Sequence, residues 1–203
     1  MSQSSPSPEN TIAFQGQPGA YSHLACREAR PDMEPLACES FESTFEAVSE
    51  GRADLAMIPI ENSLAGRVAD IHHLMPASGL HIVAEHFQRV HHHLLVVEGA
   101  TVESLRSVHS HIHALSQCRN LIRSLGLKAH VHADTAGAAA EVAARKDPAA
   151  AAVASALAGE IYGLVSLKSD FADAADNTTR FVVLAREPMN PDPKDGPVMT
   201  TFV

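Results

Sequence analysis

The chain has 203 residues and a formal net charge of -9; 45% of its residues are hydrophobic and only 4% are aromatic. This length suffices for one domain or for two closely joined lobes, with a core built mainly from alanine, valine, leucine and isoleucine. An acidic chain lacks the basic stripe that nucleic-acid binding needs, so we expect no nucleic-acid partner. No apolar run approaches the roughly 20 residues that span a bilayer, so we expect no membrane partner either.

The beginning of the chain and its cysteines indicate the compartment. Residues 1–10 are rich in serine and proline and lack both the basic start and the apolar centre of a signal peptide, so we expect a disordered tail there. Cys26, Cys38 and Cys118 show no metal-type spacing and cannot all pair with one another. Both features favour a cytoplasmic protein.

Strand and helix patterns alternate in the first part of the chain. Strands are expected at residues 11–14, 36–38 and 55–60, and helices at 22–30, 41–51 and 64–75. This order favours a mostly parallel sheet covered on both faces. Ligands of such sheets bind beyond the carboxyl ends of the strands, where the loops 16–22 and 61–63 are expected.

The middle of the chain predicts a second α/β unit. Strands at 81–87 and 90–97 indicate a crossing into it. Further strands are expected at 108–110, 128–133, 150–154 and 164–167, and helices at 102–106, 114–125, 135–146 and 157–162. Residues 187–197 carry four prolines and are typical of an extended linker, which leads to a strand-like end at 198–203.

A polar turn leads into an apolar strand at residues 176–185. Asp176 and Asn177 favour the turn, and β-branched and apolar residues follow them. Because side chains alternate along a strand, Thr179 and Phe181 share one face while Arg180 takes the other. We therefore predict a structural ion pair for Arg180, whereas the local pattern alone favours an ordinary strand start for Thr179.

Three other segments allow both a functional and a plain structural interpretation. The loop 16–22 offers backbone N–H groups at a helix start, which suits an anion but also an ordinary turn. Glu61 follows the strongest strand and is interpreted as a base, an anchor or a hydrogen-bonded carboxylate, while Asn62 can donate and accept at once. Ser110 and Gln117 span a strand end and a helix start, where they either face one site or cap and solvate the helix.

Histidine is unusually frequent, with 13 residues, many of them in the middle of the chain. In a strand, His91 and His93 share one face, as do His130 and His132. A zinc site needs three or four convergent ligands with further supporting groups, and spacing alone does not supply them. We expect no native metal and keep a histidine-based metal binder as an alternative.

Four of these segments together resemble the prephenate dehydratase family. They are residues 16–22 (GQPGAYS), 59–63 (PIENS), 110–118 (SHIHALSQC) and 177–181 (NTTRF), and the resemblance covers about residues 11–186. It implies two α/β lobes with a cleft, similar to type 2 periplasmic binding proteins. It also implies conversion of prephenate to phenylpyruvate in phenylalanine biosynthesis, without a cofactor, by a homodimer.

The resemblance also assigns site residues. It implies that Thr179 is the reactive threonine, and that Asn62, Glu61, Ser110 and Gln117 share the catalytic site. We add substrate-binding candidates from the same segments, with Phe181 expected to pack against the substrate ring: Gly19, Ala20, Tyr21, Ser22, Ser63, Thr178 and Phe181. The family commonly has Pro-Gln after Ser-His, where this chain has Ile112 and His113, and this departure leaves the local turn open.

The expected organisation follows from the family and the elements together. Residues 11–87 plus about 176–187 form lobe 1 and the hinge, and residues 88–175 form lobe 2. Many relatives carry a C-terminal ACT domain, so residues 188–203 are expected to be a linker and the first strand of an ACT domain that is missing here. Two alternatives stay open: an arogenate dehydratase, and a non-catalytic small-molecule binding module of the same fold.

Overall fold

The computed structural model describes residues 10–174, 176–192 and 194. It contains two α/β lobes, each built on its own sheet, with a cleft between them, as expected. Residues 1–9 of the tail expected at 1–10, and the strand expected at 198–203, lie outside the described residues. Within the described ranges, no helix has the length and apolar character that crossing a membrane requires.

Lobe 1 is organised around a six-stranded sheet. Its order is β2-β1-β3-β11-β5, with the short β4 paired to β3. The pairs β1–β2 and β1–β3 are parallel, whereas β11 lies antiparallel between β3 and β5. The elements of this lobe are β1 (Thr11–Gln15), α1 (Tyr21–Ala29), β2 (Glu34–Cys38), α2 (Phe41–Ser49), β3 (Leu55–Asn62), β4 (Gly66–Arg67), α3 (Ile71–Ser78), β5 (His81–Arg89) and β11 (Thr178–Ala185).

Lobe 2 is organised around a five-stranded sheet of order β10-β6-β9-β7-β8. Strand β7 is parallel to β8 and β9, and β6 is antiparallel to β9 and β10. Its elements are β6 (His93–Val96), a 3₁₀ turn (Val102–Ser104), β7 (Ser107–His111), α4 (Ile112–Gln117), α5 (Arg119–Ser124), β8 (Lys128–His132), α6 (Thr135–Arg145), β9 (Ala150–Ala154), α7 (Ala156–Tyr162) and β10 (Val165–Lys168).

The two lobes fill their cores with side chains of different size. One core cluster of lobe 1 contains Phe14, Met57 and Phe181, each at most 1% exposed. In lobe 2, all five residues of β9 are alanine or valine and are buried, and alanines of α6 pack against them. Small side chains allow the helix to approach the sheet closely at normal packing density.

Two expected helices have different boundaries in the structure. Asn62 Oδ1 accepts hydrogen bonds from the N–H groups of Leu64 and Ala65 at 3.0 and 2.9 Å, and Gly66 has φ +82°. The chain therefore turns back into β4, and the helix expected from residue 64 begins only at Ile71. The helix expected at 114–125 is two helices, because Cys118 leaves helical geometry with φ -113° and ψ 14°.

The chain passes between the lobes twice, and each crossing carries a buried polar side chain. The first crossing joins β5 to β6 and contains His92, and the second joins β10 to β11 and contains Asn177. Both side chains are 2% exposed. A buried polar group is costly unless it is hydrogen-bonded, so the partners of these two residues define the floor of the cleft.

Candidate active site

A cavity of about 640 Å³ lies between the lobes, within the size range of small-molecule sites. Lobe 1, lobe 2 and both crossings contribute to its wall. Polar side chains concentrate along one line through it: Tyr21, Asn62, His92, Gln117, Asn177 and Thr179. We call these six residues the cleft network.

Asn62 fixes the direction of the hydrogen bonds at the Thr179 end of the cleft network. Its Oδ1 accepts from the backbone N–H groups of Leu64 and Ala65, so its Nδ2 must face the other way. That Nδ2 donates to Thr179 Oγ1 at 2.9 Å and to Asn177 Oδ1 at 2.7 Å. Thr179 Oγ1 is therefore an acceptor towards Asn62, and its own proton has no acceptor among the described residues, so it is available to a ligand in the cavity.

The hydrogen bonds continue to donate in the same direction, from Asn62 through Asn177 to Gln117. Since Asn177 Oδ1 accepts from Asn62, Asn177 Nδ2 is the group that donates to Gln117 Oε1, at 2.9 Å. His92 Nε2 lies 2.8 Å from the same Oε1, and because that oxygen only accepts, Nε2 carries a proton. Gln117 Nε2 has no acceptor within the described part of the chain, so its two protons are available to a ligand.

Tyr21 holds the other side of the His92 ring. Its hydroxyl lies 2.9 Å from His92 Nδ1 and 2.8 Å from the His91 carbonyl oxygen, and the two rings meet edge to face at 5.6 Å. Burial lowers the pKa of His92, although the hydrogen bond that His92 donates to Gln117 opposes this. Burial also raises the pKa of Tyr21 well above its usual value, so the phenol stays protonated. A neutral His92 therefore donates from Nε2 to Gln117, and its Nδ1 and the His91 carbonyl oxygen share the single proton of the Tyr21 hydroxyl.

Five of the predicted site residues lie at the cavity. Thr179, Asn62 and Gln117 belong to the cleft network, and Tyr21 and Ser22 line the wall at the start of α1. The first turn of a helix leaves backbone N–H groups without internal partners, and the helix dipole favours a negative charge at this end.

Ser63 and Thr178 fasten the ends of two strands instead of lining the cavity. Ser63 N–H donates to the Thr178 carbonyl at 2.9 Å, and Thr178 N–H donates to Ser63 Oγ at 3.0 Å. These contacts bring the end of β3 to the start of β11. These contacts therefore hold Asn62 next to Thr179, and we interpret Ser63 and Thr178 as residues that position these two side chains.

Ser110 and Phe181 are buried away from the cavity. Ser110 is 0% exposed and its Oγ donates to the Val153 carbonyl at 2.5 Å, since β7 carries it into the sheet of lobe 2. Phe181 shares a strand face with Thr179, as expected. Two residues along a strand advance about 7 Å, however, and this places Phe181 under α1 in the core. Our proposed site therefore includes neither Ser110 nor Phe181.

Gly19, Ala20 and Glu61 also lie outside the cavity wall. The Gly19 N–H donates to His23 Nδ1 at 3.0 Å and the Ala20 N–H donates to the Gln17 carbonyl at 3.0 Å, so both donors are already used. Glu61 lies exposed on β3, opposite Arg67 of β4. Of the loop 16–22, only the helix start remains a candidate for an anion.

Gly19 brings the lobes into direct contact at the rim of the cleft. Its carbonyl accepts from Ser155 Oγ at 2.6 Å, and the Pro18 carbonyl accepts from the Tyr162 hydroxyl at 2.8 Å. With φ +93°, Gly19 has a conformation that glycine favours, and a Cβ there would lie 2.7 Å from Ala158 Cα. The turn and helix α7 therefore touch backbone to backbone.

Arg180 forms the structural ion pair that strand alternation predicted. Its Nε and one terminal nitrogen lie 2.9 and 2.8 Å from Glu85 Oε2 on the neighbouring strand β5. The guanidinium also lies 5.9 Å from the centre of the Phe87 ring. Arg180 thus faces away from the cavity and supports the sheet.

Sequence reasoning missed two members of the cleft network, His92 and Asn177. Asn177 lies in one of the family segments, and His92 lies in the histidine run at the expected crossing, so both had a signal. What the sequence did not contain was their meeting point on one oxygen of Gln117. The wall also includes Arg67, His111 and Asp134, none of which the site prediction named.

The many histidines do not converge on a metal site. Among residues 10–174, 176–192 and 194, no group of three or more histidine, cysteine or carboxylate side chains has the arrangement that a metal ion requires. His91 pairs with Asp170, His93 contacts Ser166, and His132 pairs with Glu141. These three of the 13 histidines thus contact a carboxylate or a hydroxyl.

The fold and the site define a two-lobed protein whose cleft presents a threonine hydroxyl and a glutamine amide to a small molecule. Residues 12–189 match the family model described as prephenate dehydratase. The chain belongs to the prephenate dehydratase family, which confirms the resemblance seen in its four segments.

Curated relatives extend this result. The chain is 51% identical over 195 residues to the bifunctional N-acyl-homoserine lactone acylase/prephenate dehydratase of Komagataeibacter europaeus, covering 96% of this chain and 69% of the relative. It is 46% identical over 180 residues to arogenate dehydratase/prephenate dehydratase 2 of Arabidopsis thaliana, covering 89% of this chain and 47% of the relative. The chain thus spans about half the length of this plant relative.

Solved structures agree with the fold. A prephenate dehydratase from Arthrobacter aurescens in complex with L-Phe matches with a TM-score of 0.82 at 26% identity, over 90% of this chain and 62% of that one. A structure described as GqqA, a novel type of quorum quenching acylase, matches with a TM-score of 0.84 at 52% identity, over 90% of this chain and 66% of that one.

Proposed function

We propose that the protein is a prephenate dehydratase, which converts prephenate to phenylpyruvate in phenylalanine biosynthesis. The observation that carries this proposal is the Thr179 hydroxyl, which accepts from Asn62 and keeps its own proton for the cavity. Family membership supplies the reaction, and the cleft network supplies a donor with a defined direction. No cofactor enters the reaction.

The reaction needs help at the leaving hydroxyl. Prephenate, as a dianion, takes up one proton and gives phenylpyruvate, carbon dioxide and water; the ring carboxylate leaves as carbon dioxide while its electron pair completes the aromatic ring. Thr179 donates a hydrogen bond to the departing hydroxyl, and Asn62 strengthens it by donating to the same oxygen. Hydrogen bonds to developing charge are stronger in a cleft that excludes water.

The two carboxylates of the substrate need donors that do not hold the ring carboxylate too tightly, because stabilising it in the ground state opposes its loss. The first turn of α1, at Tyr21 and Ser22, offers backbone N–H groups to one carboxylate. Gln117 Nε2 offers a neutral donor, which orients the substrate without an ion pair. Arg67 adds a guanidinium to the wall.

The direct test is turnover of prephenate by the purified protein, followed through the absorbance of phenylpyruvate in alkali. We expect product to form with the unsubstituted chain and to be almost absent with Thr179→Val. Binding of prephenate without product would instead favour the non-catalytic binding module. Absence of both binding and turnover would contradict the proposal.

Arogenate is the alternative substrate, since the named plant relative carries both activities in its name. Arogenate has an ammonium group where prephenate has a keto oxygen, and the same leaving groups are lost. Side-by-side measurement of kcat/KM on the two substrates decides between them. A higher value on arogenate would reassign the substrate while leaving the role of Thr179 intact.

Amide hydrolysis is a second candidate activity, because the relative at 51% identity is named as a bifunctional acylase. The test is release of homoserine lactone from an N-acyl-homoserine lactone by the same protein preparation. Comparing Thr179→Val in both assays would tell whether the two activities share the threonine.

We also propose that the chain works as a cytoplasmic homodimer. The dimer is expected from the family, and the cytoplasm from its three free cysteines, all of them buried. Light scattering of the purified chain measures the mass, and a monomer across the assay concentrations would contradict the dimer. Cell fractionation measures the location, and recovery outside the cytoplasmic fraction would contradict that part.

A further inference from the structure

We propose that His92 is a positioning residue, which acts through its Nε2–H on Gln117 Oε1 and thereby turns the Gln117 amino group towards the substrate. This inference rests on the proposed function for its kinetic test. It assigns a role to a residue that the family segments do not contain.

The position of Gln117 makes such support necessary. Its side chain has three rotatable bonds, and an amide can be turned by half a revolution with little change in shape. Two donors meet on Oε1, from Asn177 at 2.9 Å and from His92 at 2.8 Å. Together they leave only one orientation, in which Nε2 and its two protons face the cavity.

His92 and Asn177 come from the two crossings between the lobes, and each is 2% exposed. Gln117 ends helix α4 of lobe 2. The glutamine oxygen is thus held from both connections at once, so its place depends on the cleft being assembled. His92 is itself held by Tyr21, which comes from lobe 1.

The alternative is that His92 merely fills the floor of the cleft. A space-filling role predicts that any aromatic ring of similar size suffices, whereas positioning requires a donor at the Nε2 place. The amide N–H of a glutamine can take the position of a histidine Nε2. The shorter asparagine side chain reaches only the position of Nδ1. This difference separates the two interpretations.

The first experiment measures kcat and KM for prephenate in three variants at position 92. We expect His92→Phe and His92→Asn to lose about 10- to 100-fold in kcat/KM, since a small misplacement of a substrate-orienting group has effects of this size. We expect His92→Gln to recover to within about threefold of the unsubstituted protein. Equal activity of Phe and Gln variants would overturn the proposal.

The second experiment asks whether His92 acts through Gln117, using a double-mutant cycle. In a Gln117→Ala background, His92→Phe should change kcat/KM by less than about twofold, because the group it positions is already gone. If the two losses multiply, His92 acts independently of Gln117 and the proposal fails.

His93→Phe is the matched control, because its ring contacts Ser166 Oγ at 2.9 Å outside the cavity wall. It should leave kcat/KM within about twofold of the unsubstituted value. A loss as large as that of His92→Phe would mean that histidine replacement in this segment is disruptive by itself, and would overturn the specific role of His92.

A third measurement needs neither substrate nor a folded variant. Nitrogen-15 spectra of histidine-labelled, unsubstituted protein at pH 7.5 report which ring nitrogen of His92 carries the proton. We expect a proton on Nε2, and a bare Nε2 would overturn the inference even if turnover is normal. Failure of the proposed function has a different signature, namely no turnover by the unsubstituted protein while Nε2 is protonated.

Discussion

The cleft network and strands β7 and β8 of lobe 2, which we call the outer strands, both contain histidine or tyrosine rings. Their hydrogen bonds are organised differently. On β7 and β8 the rings of His109 and His130 stack at 4.8 Å with an angle of 10° between them, and His109 lies 3.3 Å from Ser107. His132 pairs with Glu141, but its Nδ1 is buried and has no hydrogen-bond partner among the residues that the structure describes. Here the titratable groups are numerous and their hydrogen bonds are local.

In the cleft network, each bond determines the direction of the next. Two backbone N–H groups orient Asn62, which orients Asn177, which orients Gln117. The comparison teaches that the density of histidines is a poor guide to function in this chain. A better guide to function is a connected set of hydrogen bonds in which each donor and acceptor has only one possible orientation.

Replacing the terminal hydroxyl should have the largest effect. Thr179→Val keeps the shape of the side chain but removes the proton that faces the cavity, so we expect kcat to fall at least ~100-fold, as for other single transition-state donors. Thr179→Ser keeps the hydroxyl and should retain much of the rate. A valine variant with near-normal kcat and an unchanged melting temperature would contradict the assignment.

Reversing the hydrogen bond between Asn62 and Thr179 should have the second largest effect on kcat. In Asn62→Asp the side chain can still accept from Leu64 and Ala65, but it no longer donates to Thr179 Oγ1. The Thr179 proton then turns towards the carboxylate and away from the substrate, and we expect kcat to fall about 10- to 100-fold. Stopped-flow or steady-state assays measure this loss. Full activity would show that bond direction does not matter.

Acidification should weaken the fold in both regions. Burial lowers the pKa of His92 in the cleft network and of His109 and His111 in lobe 2 below 6.5. Well above pH 6.5 these groups are neutral in both the folded and the unfolded chain and add little pH dependence. As the pH falls below 6.5, the unfolded chain takes up protons that the folded chain refuses, so stability decreases.

Thermal melting between pH 7.5 and pH 5.5 tests this sign. We expect a lower melting temperature at pH 5.5, and a smaller decrease in His92→Gln because one buried titrating group is gone. A melting temperature that rises on acidification would show that other groups dominate.

A change on the outer strands should have the smallest effect. His130→Gln removes one ring of the stacked pair on lobe 2 but leaves the cleft network untouched, so kcat/KM should stay within about twofold of the unsubstituted value. A loss comparable to that of Asn62→Asp would break the distinction between the two regions.

Much of the site was accessible from sequence because it follows from topology. The ends of neighbouring strands meet at one edge of a sheet, and this brought Asn62 at the end of β3 to Thr179 at the start of β11. Gln117 was expected in the first turn of a helix but is the last residue of α4, and it nevertheless lines the cavity. Strand alternation was enough to assign Arg180 to an ion pair.

The expectations that differ from the observed positions depend on contacts between residues that are distant in the chain. Ser110 looked like a partner of Gln117, but β9 supplies the Val153 carbonyl that captures its hydroxyl. Phe181 had the right face but lay too far along the strand, under a helix whose position the sequence did not specify. Residues 64–70 had helical periodicity, and side-chain bonds from Asn62 to the backbone overrode it.

The contact of Gly19 with Ala158 sets a mechanical limit on the cleft. Where side chains separate two lobes, a change of rotamer can let them move closer. Backbone atoms in contact offer no such adjustment. While the turn and α7 keep these backbone conformations, van der Waals contact between Gly19 and Ala158 therefore resists any closer approach of the lobes at this rim.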